Sequence, residues 1–147
     1  MSPLNRSTKY DVKLFLASPG DVLEERALVS KVVNKLAAED RYQQHFSIDI
    51  VAWDREGKQV AMHAAQTPQQ TIGENLTQPK DCDLVVTILW MHMGTPLPSH
   101  IVKENGEPYL SGTEWEFLNA LEGYRDNPDL AIWLYHRTEK LLSLIHI

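Results

Sequence analysis

The chain has 147 residues, 43% of them apolar, and a net charge of −6, which suits one domain with an ordinary buried core rather than two. The acidic balance excludes a general attraction to phosphate backbones or anionic lipid, so neither nucleic acid nor a membrane is an expected partner. No apolar run approaches the roughly 18 to 20 residues that span a bilayer, and residues 1–9 read as a polar, flexible N-terminus with no signal-like pattern, so a cytoplasmic domain is expected.

Residues 10–18, YDVKLFLAS, are β-rich and apolar toward their end, as a buried parallel strand is. Pro19 and Gly20 stop it. Asp21 stands three residues before Glu24 in the pattern of a capping box, and Leu28, Val29, Val32, Val33 and Leu36 recur at helical spacing, so a helix with these five on its buried face is expected. A second strand is expected at Phe46 to Trp53, then a loop from Asp54 to Gln66 and a short helix from Thr67 to about Gln78, with Pro68 in its first turn. Cys82 to Trp90, CDLVVTILW, is almost continuously apolar and is expected at the sheet centre. Gly94, Pro96 and Pro98 end it. After a polar loop from Thr95 to Leu110, Ser111 or Thr113 can cap a helix that runs to about Tyr124 and buries Trp115, Leu118 and Leu121. Asp129 to Tyr135 supplies a fourth strand.

Strands alternating with helices imply right-handed crossovers and a parallel sheet covered on both faces. The domain is expected to span residues 10–140. The tail LLSLIHI at 141–147 neither continues a periodic helix nor completes a strand. It is expected to be non-native, with a natural chain that continues past Lys140 and a last helix lost.

In such sheets ligands bind outside the carboxyl ends of the strands. The residues brought there are Ser18, Asp21, Asp54, His92, Ser111, Thr113, Glu114 and Glu116, among which the carboxylates suit acid, base or cation-stabilising work. Cys82, the single cysteine, lies between Asp81 and Asp83, where neighbouring carboxylates oppose thiolate formation, and is read as structural. The histidines show no paired spacing with cysteine or carboxylate, so no metal site is indicated.

The blocks LFLASPGD (14–21), EER (24–26), DCDLVVTILW (81–90), MGTPLP (93–98) and SGTEWEF (111–117), taken in order, resemble a TIR-like family of unknown function found at the N-terminus of large STAND or NACHT-type ATPases. More distantly they are similar to TIR domains and to nucleoside 2-deoxyribosyltransferases. The resemblance covers nearly all of residues 10–135 and implies a flavodoxin-like, three-layer α/β/α fold. It also implies a signalling or defence effector that self-associates and is attached to ATPase and sensor domains. Both comparisons place Glu116 on the catalytic glutamate, in the run Gly112, Thr113, Glu114, Trp115, Glu116. Its implied work is cleavage of the N-glycosidic bond of NAD or a related nucleotide, with NAD as substrate and no cofactor. The alternatives are a TIR-type interaction module without catalysis and a deoxyribosyltransferase-like enzyme.

Read from the residues alone, Glu116 is a first-turn glutamate that a helix dipole favours for stability, and Glu114 a solvated charge facing another direction. Ser18, Pro19, Gly20 and Asp21 form a loop before a helix. That geometry can hold a phosphate, but Asp21, Glu24 and Glu25 match the ribose side of a ligand better. Asp21 itself reads first as a helix cap, and Arg26 with Glu25 as an ordinary ion pair. Trp90 can either stack on a base or finish the core. The resemblance adds that Arg often stands at the position of His92.

Overall fold

In the computed structural model, residues 9–52, 77–94 and 96–139 are described. The strands are β1 (Tyr10–Ala17), β2 (Phe46–Val51), β3 (Leu84–Leu89) and β4 (Ala131–His136), and the helices are α1 (Leu23–Ala38), the single turn α2 (Asp40–Gln43) and α3 (Gly112–Asp126). A 3-10 turn at Pro79–Asp81 leads into β3. The loop expected at 54–66, most of the helix expected from Thr67, and the tail at 141–147 lie outside the described residues.

All strand pairs are parallel and the order is β2-β1-β3-β4, the order of a flavodoxin-like sheet. β3 lies inside the sheet, between β1 and β4, where its apolar run required it to be. Alternation along β1 and β3 divides the interior in two. Leu14, Leu16, Val86 and Ile88 face one way, against Val22 and Val33 of the first connection. Phe15, Ala17 and Val85 face the other way, against Ala120 of α3. The helices α1 and α3 therefore cover opposite faces, which makes three layers. Among the described residues no helix is long and apolar enough to cross a membrane.

Three expectations are corrected by the packing. The N-cap of α1 is Val22, with no side-chain cap; the Asp21 carboxylate instead accepts a hydrogen bond from the Met91 amide at 3.1 Å, tying the end of β1 to the end of β3. On α1 only Val33 is fully buried, while Leu28, Val32 and Leu36 stay exposed. The five apolar positions span more of the circumference than one sheet contact can cover. On α3 the buried residues are Thr113, Trp115, Asn119, Ala120 and Gly123, and Leu118 and Leu121 are only half-buried. The helix is drawn in by small and polar side chains: Asn119 Oδ1 accepts from the Lys80 amide at 2.9 Å, and Gly123 lies against the same residue.

That contact generates a prediction. A Cβ on Gly123 would stand 2.7 Å from Lys80 Cα, and backbone cannot swing aside as a long side chain does. Alanine in place of a helical glycine normally stabilises, by roughly 0.5–1 kcal/mol. Here Gly123→Ala is expected to lower the thermal midpoint, and a midpoint at or above that of the unaltered chain would refute the close approach.

Candidate functional site

The strand order reverses between β1 and β3, and the crevice at that switch point is where parallel sheets take their ligands. Three segments converge there. Gly94, with φ +106°, sits so close that a Cβ would be 3.3 Å from Thr113 Oγ1 and 3.6 Å from both Pro19 and Ser111. The loop after β3, the turn after β1 and the start of α3 thus meet around one glycine, in a conformation that L side chains rarely adopt.

Ser111 is the N-cap of α3, its Oγ accepting from the Glu114 amide at 3.1 Å. A serine cap of this kind contributes about 1 kcal/mol. It is fully buried, as Thr113 nearly is, so both build the wall of the crevice. Glu114 faces away from it. One carboxylate oxygen accepts from Lys103 Nζ at 2.7 Å and the other from the Leu110 amide. Burial raises its pKa, but these donors outweigh burial and hold it below the usual carboxylate range.

Glu116 has the opposite environment. Among the described residues its carboxyl has no hydrogen-bond partner, and burial pushes its pKa up to about 8; the Arg26 guanidinium of α1 acts against that shift. Arg26 is itself depressed by burial and raised by Glu116. The sequence reading paired Arg26 with Glu25, whereas in the structure Arg26 couples to Glu116 and Glu25 binds Arg137 at 2.7 Å. The spacing of EER carries no sign of this, because both partners arrive from distant segments.

His92 lies at the rim. Its Nδ1 accepts from the Gly94 amide at 3.1 Å, and its Nε2 is 3.6 Å from Asp21. Among the described residues, Ser18 Oγ and Asp21 Oδ1 are buried without a hydrogen-bond partner, as are Thr87 Oγ1 and Glu25 Oε2. Orphaned polar atoms of this kind normally find water or ligand. Trp90 is half-buried, with the Arg137 guanidinium 4.2 Å from its ring centroid. Asp54 lies outside the described residues. Cys82 is buried and its thiol is pushed up to about 12, first by burial and then by Asp83, Asp81 and Asp49. It is held for packing and not for reaction. No group of metal-ligating side chains occurs among the described residues.

A groove of about 760 Å³ lies elsewhere, lined by Lys80, Lys103, Tyr109, Trp115, Asn119 and Arg125 among others, and not by Glu116. Two of its polar side chains are engaged, Lys103 with Glu114 and Asn119 with Lys80 and Gln78. The crevice, with the raised Glu116 carboxyl on the helix that walls it and its orphaned oxygens, is the better candidate for chemistry. Compared with family models, curated proteins and solved structures, the chain matches none of them.

The Glu116 environment fixes the sign of a pH effect. With a folded pKa of about 8 against an ordinary 4.5, the folded chain holds one more proton than the unfolded chain between those values, so stability falls as pH rises through that window. Glu116→Gln removes the carboxyl that must be charged. The variant is expected to melt a few degrees above the unaltered chain at pH 9 and close to it at pH 4.5. Parallel melting curves at both pH values would show that the carboxyl is not buried.

Proposed function

We propose that this chain is a TIR-like effector domain, cytoplasmic and active when clustered, that cleaves the N-glycosidic bond of NAD or a related nucleotide with Glu116 as the catalytic carboxylate. The observation that carries this reading is the Glu116 carboxyl itself, held without a hydrogen-bond partner among the described residues beside the switch-point crevice. The ordered blocks that resemble the TIR-like family support it as well.

One carboxylate suffices for such a reaction. Ordinary glycosidases need a second carboxyl to protonate a poor leaving group, but the nicotinamide of NAD is already cationic on its ribose. The C1′–N bond breaks with its electron pair moving to the ring nitrogen, and nicotinamide departs neutral. Water then adds to the oxocarbenium carbon and loses a proton, leaving ADP-ribose. Glu116 would offset the charge developing at C1′, in a low-dielectric crevice where that attraction is strong. The orphaned Ser18 Oγ and Asp21 Oδ1 would meet ribose hydroxyls.

A pKa near 8 means that Glu116 mostly holds a proton at neutral pH. Binding a cationic ring favours the carboxylate, so the proton leaves as the substrate enters.

A second reading, an interaction module without catalysis, is favoured by the exposed apolar side chains Leu28, Val32 and Leu36 on α1 and Trp133, Leu134 and Tyr135 on β4. NAD turnover by the chain clustered on a multivalent carrier separates the two. Under the catalytic reading, kcat/KM rises with pH and levels off above about 8, and Glu116→Gln lowers turnover at least about 100-fold while leaving self-association intact. No turnover by the clustered, unaltered chain would leave the interaction module as the surviving reading.

A further inference from the structure

We propose that Trp90 and Glu25 form a recognition site for a flat organic cation, and that the chain's own Arg137 fills that site in this structure. Trp90 closes β3, Glu25 lies in the first turn of α1, and Arg137 follows β4 directly, its amide still donating to Leu89 O at 2.8 Å. The three meet at the carboxyl end of the sheet, with the Arg137 guanidinium 4.2 Å from the Trp90 ring centroid and Nη1 2.7 Å from Glu25 Oε1.

An aromatic face with a carboxylate beside it is the general solution for binding delocalised cations, because the ring quadrupole and the counter-ion act together. A guanidinium is planar and weakly hydrated, so it suits such a site better than an ammonium does. Two details point to a site that is occupied and not merely stapled. Glu25 Oε2 is buried and without a partner while Oε1 holds Arg137, so acceptor capacity is left over for a ligand. The occupant also comes from the first residue past the end of β4, on a short segment that runs on to Glu139.

The segment fastens itself to the platform it covers. Glu139 pairs with Arg137, and its carbonyl accepts from Trp90 Nε1 at 2.9 Å. Lifting residues 137–139 together therefore exposes one face of the indole and releases its N–H. An occupant supplied in cis competes at an effective concentration in the millimolar range, so an external cation binds weakly until the segment lifts. Nothing in this arrangement depends on Glu116 turning over a substrate.

The test follows the indole N–H signal of Trp90 by NMR, identified through its loss in Trp90→Phe, during titration with 1-methylpyridinium. The signal is expected to move in Arg137→Gln with an affinity at least about tenfold above that of the unaltered chain. Glu25→Gln added to Arg137→Gln should abolish the response, and neutral pyridine at pH 8 should produce none. If Arg137→Gln fails to fold, the unaltered chain is titrated above the millimolar range, where the same shift is expected with 1-methylpyridinium and not with tetramethylammonium. Equal affinity with and without Arg137, an equal response to neutral pyridine, or no response at any concentration would overturn the proposal.

Discussion

The two-sided burial of β1 and β3 is the constraint on which the remaining features rest. Phe15 and Val85 have no exposed surface, and Leu14, Leu16 and Val86 very little, yet successive residues point to opposite faces. Each face must therefore be covered separately, at roughly 1.5–3 kcal/mol for each large apolar side chain removed from water. Parallel strands need crossover connections, and the crossovers place α1 on one face and α3 on the other. The turn after β1, the loop after β3 and the start of α3 then arrive at the same end of the sheet. The crevice is a consequence of this layering.

At the start of α3, two glutamates separated by one residue are treated in opposite ways. Glu114 takes a lysine and a backbone amide as partners and closes the entry to its own helix. About 200° further round the helix, Glu116 meets no hydrogen-bond donor among the described residues, and a guanidinium from α1 only moderates the effect of burial. A carboxyl kept in that state costs stability whenever it ionises. A site that retains it trades stability for a group whose protonation responds to a bound charge, a pattern common where chemistry or binding is at stake.

Arg137 shows how the far side of the same end is closed. It joins β4 to α1 through Glu25 and covers Trp90, so the tryptophan both packs against the core cluster on the α1 face and presents a ring face to a cation. Core packing and the Arg137 guanidinium over the ring coexist on this one residue. Beyond this closure β4 keeps Trp133, Leu134 and Tyr135 more than half exposed, an apolar edge of the kind that partner surfaces use.

What the sequence determined by itself followed from local and periodic signals. The continuous apolar run ending in Trp90 demanded an interior strand, and the alternation of strands and helices demanded a parallel sheet. Ser111 was one of two caps that the sequence offered, with Thr113, and the structure takes Ser111. Glu116 could be singled out because its motif resembles a known one. The partners of the site residues were decided only by the tertiary structure. Asp21 looked like a cap and instead holds Met91, 70 positions away. Glu25 looked like the partner of Arg26 and instead meets Arg137, 112 positions away. Hydrogen bonds and ion pairs act over a few ångströms in space, and sequence periodicity reports only which face of an element a residue occupies. It does not report what that face meets when the layers close.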